Sequence, residues 1–85
     1  MSAVEVYTTT YCPYCVRAKA LLEHKNVEFT EINVDQAPQL RAQMRERANG
    51  GNSVPQIFIN EQHIGGCDDM MLLERQGKLD ALLKH

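Results

Sequence analysis

The sequence has no tryptophan, only two phenylalanines and three cysteines, and no apolar run approaching the length of a membrane helix. Each shortage excludes something. A disulfide-framework protein of 85 residues would carry an even set of about four to eight cysteines, so cross-links are not expected to hold this chain together. A membrane span needs roughly 20 consecutive apolar residues, and no membrane association is expected. Charge of one sign is lacking too: nine Lys and Arg oppose eleven Asp and Glu, a net −2. That leaves no electrostatic footprint for nucleic acid or an anionic bilayer. The opening Met1-Ser2-Ala3-Val4-Glu5-Val6-Tyr7 lacks the charged and apolar blocks of a signal peptide. No repeat, low-complexity tract or linker interrupts the chain, so one domain over residues 1–85, in the cytoplasm, is expected.

What is present is an ordinary globular balance, 44% apolar and 24% charged. Chains of this length bury about 63% of their unfolded surface, a small but real core. Val4 to Thr8 alternates β-branched or aromatic residues with polar ones, a strand signal. Pro13 suits the first turn of a helix, where its missing N–H costs nothing, and good helix formers follow to about Lys25. Apolar spacing falls at Cys15, Ala18 and Leu22 and at Val16 and Ala20, and Asn26 suits the exit. Phe29 to Val34 reads as a second strand. Asp35 is expected to cap a second helix with Pro38 in its first turn, its stripe being Ala37, Leu40, Met44 and Ala48. Asn49 to Asn52 breaks it. Gln56 to Ile59 and His63-Ile64 form a hairpin through a turn at Asn60, Glu61 and Gln62. Gly65-Gly66 turns the chain again, a helix runs from Asp68 or Asp69 toward Gln76, and a short one covers Leu79 to Lys84. The expected class is α/β: a mixed sheet of four strands, the first pair parallel with a right-handed crossover, flanked by helices.

The chemistry is carried by Cys12-Pro13-Tyr14-Cys15, set between a strand and a helix. Cys12 falls at the helix N-terminus, where unpaired N–H groups and the macrodipole favour a negative sulfur. Cys15, three residues on, shares its face and can reach back to close a disulfide. Cys12 is thus the expected exposed nucleophile and Cys15 the more buried resolving thiol, with Arg17 and Lys19 adding positive charge nearby. The competing reading is half of a zinc site. Such a site takes about four ligands, and only Cys67, His63, His24 and His85 could complete it. His63 and Cys67 have no standard ligand spacing, and Pro13 fits a helix start better than a metal knuckle. No metal is expected.

Three motifs occur in order: Tyr7-Thr8 leading to Cys12-Pro13-Tyr14-Cys15, then Ser53-Val54-Pro55, then Gly65-Gly66-Cys67-Asp68-Asp69. Together they resemble the dithiol glutaredoxins over essentially the whole chain. The resemblance implies a thioredoxin-like fold, a cis Pro55, and an enzyme that reduces protein–glutathione mixed disulfides and protein disulfides. It implies glutathione as reducing co-substrate, with no bound cofactor, and glutathione reductase and NADPH behind the glutathione pool. A monomer is expected. One departure from the family is Thr9, where members frequently carry Lys.

The residues suit that ligand. Val54, just before a proline, is biased to an extended conformation, so its N–H and C=O can pair with a peptide as an added strand. Gly65 and Gly66 permit close backbone approach. The N–H groups of Asp68 and Asp69 at a helix start can hold the γ-glutamyl carboxylate, and one of their side chains can meet its ammonium. Arg41 is the cation expected for the glycine carboxylate, and Tyr14 covers the site. The expected glutathione contacts are therefore Tyr14, Arg41, Val54, Pro55, Gly66, Asp68 and Asp69. Cys67 reads as a small semi-buried filler, with a regulatory thiol as its sharper alternative. His63 and Met70 to Leu73 read as packing, and His24 and His85 as solvated. Two other classes compete: a metal-binding module using Cys12 and glutathione across a dimer, which Pro13 disfavours, and a thioredoxin-like donor fed by a flavoenzyme.

Overall fold

The computed structural model describes residues 3–84; His85 lies outside them. In chain order the elements are β1 (Val4–Thr8), α1 (Pro13–His24), β2 (Thr30–Asn33), a 3-10 turn (Val34–Gln36), α2 (Pro38–Arg47), β3 (Gln56–Ile59), β4 (Gln62–Gly65), α3 (Cys67–Arg75) and α4 (Leu79–Leu83). The sheet order is β2-β1-β3-β4. β1 pairs in parallel with β2 and antiparallel with β3, and β3 forms an antiparallel hairpin with β4. The mixed four-stranded α/β architecture is as expected.

Because β1 and β3 are central, side chains on both faces of the sheet are covered. Val4, Val6, Ile57 and Ile59 meet Ala18 and Leu22 of α1, Met70 of α3 and Leu79 of α4 on one face. On the other, Tyr7 and Phe58 pack with Val34, Met44 and Ala48 under α2. The alternation in β1 therefore separates two cores rather than a core from solvent. On the α2 face Arg47 lies 4.2 Å over the Phe58 ring, with Nη2 2.8 Å from Glu5 Oε1 and Nη1 2.8 Å from the Tyr7 hydroxyl. A cation stacked on a ring and held by a carboxylate joins α2 to the sheet.

Several boundaries differ from expectation. In α1 the Cys15, Ala18, Leu22 row is buried, whereas Val16 is 61% exposed, so the second apolar spacing faces water. β2 omits Phe29 and Val34, and the latter opens the 3-10 turn. Asp35 does not cap α2, whose N-cap is Ala37 with no side-chain bond. Instead the Asn33 side chain accepts from the Asp35 N–H, and Asp35 reaches back to the Thr10 N–H at 2.8 Å. α3 starts at Cys67 with Gly66 as its N-cap. Asn26 does leave α1 in the left-handed region, at φ 58°.

The β3–β4 loop is shorter than expected, because Gln62 pairs with Ile59 and only Asn60 and Glu61 remain in it. Both have positive φ, 51° and 67°, the geometry of the mirror-image turn that matches strand twist. Asn tolerates it; Glu61 pays a steric penalty for its Cβ. Glu61→Gly is expected to stabilise the fold by about 0.5–1 kcal/mol, read as a higher urea midpoint at unchanged slope. An equal or lower midpoint would contradict this.

Candidate active site

The loop after β1 delivers Cys12 to the N-cap of α1, with extended backbone (φ −143°, ψ 103°) and Pro13 in the first turn. Its sulfur is the cap: Sγ accepts the Cys15 N–H at 3.1 Å. A negative sulfur there gains from the helix N-terminus as an N-cap oxygen would. Across from it, Cys12 Sγ lies 3.8 Å from the Val54 carbonyl oxygen, and the Val54–Pro55 peptide is cis, as the resemblance implied. The preceding loop is tied by Asp35 at Thr10, a contact that no local sequence signal announces.

Cys15 points the other way. It is 1% exposed, and its thiol is pushed up to about 12. Burial is the main cause, followed by its hydrogen bond with Cys12, with the charge of Cys12 adding to it; a backbone hydrogen bond from Thr9 and the charge of Lys19 act in the other direction. Lys19 itself is held by Glu31 at 3.0 Å, and Glu31 also accepts the Thr8 hydroxyl. These two partners keep the Glu31 carboxyl below its ordinary range. Cys67, the first residue of α3, is buried as well, and burial again pushes its thiol up. Of the three sulfurs, only Cys12 is partly open to solvent.

A cleft of about 340 Å³ opens beside Val54 and is lined by Tyr14, Ser53, Val54, Pro55, Gln56, His63, Gly65, Gly66, Cys67, Asp68 and Asp69. It thus gathers six of the seven expected contacts: Tyr14, Val54, Pro55, Gly66, Asp68 and Asp69. Its shape depends on the two glycines. Gly65 has φ +118°, and a Cβ there would sit 2.3 Å from Asp69 Oδ2. A Cβ on Gly66 would come into ordinary contact, 3.4 Å from the Pro55 carbonyl oxygen. The Asp69 carboxylate accepts the Gly66 N–H at 2.9 Å and so closes the start of α3, while the Asp68 side chain stands exposed at the same helix end. Tyr14 is half exposed, with the Arg17 guanidinium 5.9 Å from its ring centre.

Arg41 is not among the lining residues. Its Nη1 donates to the Asn52 carbonyl oxygen at 2.9 Å and to Asn52 Oδ1 at 3.1 Å, which ties α2 to the loop leading into Ser53. Gln56 and His63, by contrast, line the cleft without having been singled out for it; only their position on adjacent strands brings them there. Among the described residues, no group of three or more His, Cys, Asp or Glu is placed to hold a metal ion, and no helix is long and apolar enough to cross a membrane.

The glutaredoxin family profile matches residues 4–64. The chain belongs to the glutaredoxin family. It is 58% identical to a glutaredoxin of Pseudomonas aeruginosa, over 98% of each chain. It is 54% identical to glutaredoxin 3 of Escherichia coli K12, covering 99% of this chain and all of that one. Among solved structures, a buckwheat glutaredoxin–glutathione complex superposes with a TM-score of 0.88 at 35% identity, covering 96% of this chain and 76% of the other. The fold is thioredoxin-like, and family and fold together make this glutaredoxin a thiol–disulfide oxidoreductase.

The contrast between the sulfurs has a direct readout. A thiol raised to about 12 stays protonated below that pH; even at pH 9 its thiolate is about one part in a thousand. In the folded, reduced protein iodoacetamide is therefore expected to label Cys12 first, with Cys15 and Cys67 reacting only after unfolding. Peptide mass spectrometry showing either of these two labelled ahead of Cys12 would contradict the arrangement.

Proposed function

We propose that the protein is a glutathione-dependent disulfide reductase that acts through Cys12 as nucleophile and Cys15 as resolving thiol. The observation that carries this reading is the position of Cys12 Sγ, which caps α1 at 3.1 Å from the Cys15 N–H and faces the Val54 carbonyl at 3.8 Å. A related protein bound to glutathione supports the choice of electron source, and the cleft chemistry suits that tripeptide. Val54, which stands before a proline and so is biased to an extended backbone, offers its N–H and C=O to the cysteine unit. The start of α3 offers N–H groups to its γ-glutamyl carboxylate, with the exposed Asp68 carboxylate beside them for its ammonium. Tyr14, Pro55, Gly66 and Asp69 shape the walls. Arg41 is the cation proposed for the glycine carboxylate, and its Nη1 is engaged by Asn52.

In the one-thiol route, Cys12 thiolate attacks the glutathione sulfur of a glutathionylated protein. The bond between that sulfur and the protein sulfur breaks, and the protein leaves as thiolate. A free glutathione thiolate then attacks the glutathione sulfur held on Cys12, releasing oxidised glutathione and restoring Cys12. In the two-thiol route, Cys12 attacks a protein disulfide and holds one half as a mixed disulfide. Cys15 then attacks Cys12 Sγ, the second protein thiol leaves, and a Cys12–Cys15 disulfide remains for two glutathiones to reduce. Once Cys12 is disulfide-bonded it no longer bears charge, which removes one of the causes that hold the Cys15 proton. Glutathione reductase and NADPH maintain the pool. The reading further makes the protein a cytoplasmic monomer whose single domain, 1–85, carries the reaction with no bound cofactor or metal.

The test is turnover of a small glutathione mixed disulfide coupled to glutathione, glutathione reductase and NADPH. Cys12→Ser is expected to lose activity by at least about a hundredfold, since a hydroxyl gives no thiolate. Cys15→Ser keeps activity on this substrate but loses reduction of protein disulfides. A wild type without turnover would overturn the glutathione reading. Loss of the one-thiol activity in Cys15→Ser would reassign the nucleophile.

A further inference from the structure

One polar chain in the cleft has no part in the mechanism above. His63 Nε2 lies 2.6 Å from Gln56 Oε1. The other end of the same amide, Gln56 Nε2, lies 2.9 Å from the Ser53 carbonyl oxygen and 3.3 Å from Ser53 Oγ. A carbonyl oxygen can only accept, so the NH₂ end of Gln56 faces Ser53 and the oxygen end faces His63. His63 must therefore donate from Nε2. Gln56 is 5% exposed, so this amide is fully committed rather than shared with solvent. The His63 ring is itself placed by Phe58, its partner across the β3–β4 ladder, at 5.1 Å between ring centres and 32° between planes.

The chain ends on the peptide that precedes Val54. A peptide unit is planar and its C=O and N–H point in opposite directions when trans. Holding the Ser53 carbonyl toward Gln56 therefore turns the Val54 N–H away from Gln56. An extended residue presents its own N–H and C=O to the same side, and the Val54 carbonyl faces Cys12 Sγ. With Val54 extended, as the residue before a proline is biased to be, its N–H would join that C=O beside the sulfur, the pair that an extended peptide needs to add as a strand.

We propose that His63 is a positioning residue: through Gln56 and Ser53 it sets the plane of the Ser53–Val54 peptide, and so aims Val54 at the backbone of the peptide disulfide attacked by Cys12. This rests on the glutathione reading above. It makes His63 a determinant of affinity for peptide-borne disulfides rather than of sulfur reactivity.

The experiment has two arms. In the wild-type protein, nitrogen-15 NMR of the His63 ring at a pH where it is neutral is expected to show the proton on Nε2; a proton on Nδ1 overturns the proposal. The second arm uses His63→Phe, which keeps the ring on Phe58 and removes the donor, and His63→Gln, which keeps a donor. For His63→Phe, KM for a small glutathione mixed disulfide is expected to rise about five- to tenfold, the weight of one net hydrogen bond, with kcat within about twofold. Alkylation of Cys12 by iodoacetamide, which has no peptide backbone, stays unchanged, and His63→Gln returns KM to within about twofold of wild type. Wild-type turnover with an unchanged KM in His63→Phe removes this proposal alone. So does a parallel fall in Cys12 alkylation, which would mark a merely structural role. Absence of turnover in the wild type removes the glutathione reading and this inference with it. Should His63→Phe fail to fold, the ring-proton measurement decides.

Discussion

One hydrogen bond organises the site: the Cys15 N–H donated to Cys12 Sγ at the first turn of α1. It makes the sulfur a structural cap and, in the function proposed, the chemical centre as well. A helix start leaves N–H groups unpaired, and here one of them meets the atom on which negative charge would develop. Pro13, which has no N–H to offer, sits in that first turn without cost. The helix then turns Cys15 inward, where burial and the neighbouring sulfur hold its proton. Two cysteines only three positions apart in sequence therefore occupy contrasting environments, one at the helix cap and partly exposed, the other buried on the inner face.

The remaining parts of the site are brought to that sulfur by the sheet. β1 and β3 run antiparallel, so the exit of β1 toward Cys12 and the entry of β3 after Pro55 lie at the same end. The β3–β4 hairpin returns the chain to this end through Gly65 and Gly66, where α3 begins. Three segments distant in sequence thus meet here: the start of α1 with Cys12 and Tyr14, the Ser53-Val54-Pro55 stretch, and the Gly65-Gly66 turn that leads into α3. The two cores above and below the sheet hold the segments at fixed spacing, and Arg47, stacked on Phe58, fastens the α2 side.

Much of this was legible in the residues. Element order, the α1 start at Pro13 and the buried row Cys15, Ala18 and Leu22 follow from local rules of capping, periodicity and turn chemistry, whereas the grouping of Val54, Pro55, Gly66, Asp68 and Asp69 comes from the resemblance of the three motifs to a known family. What escaped is the set of side-chain bonds between residues far apart in sequence. Asp35 carries every mark of a helix cap, yet it spends its carboxylate on Thr10. Gln56 reads as one more strand residue, and its bond to His63 exists only once β3 and β4 pair. Arg41 has the right charge for a carboxylate, but its distance from the cleft is set by how the loop at Asn52 folds. Such contacts depend on tertiary placement, which one sequence does not encode in any local window.

The central claim is that Cys12, alone of the three cysteines, meets the substrate sulfur. The most direct measurement is to expose the Cys15→Ser protein to oxidised glutathione and map the adduct by peptide mass spectrometry without reduction. The account predicts a single glutathionyl group, on Cys12. Modification of Cys67 in the folded protein, or none at Cys12, would contradict it.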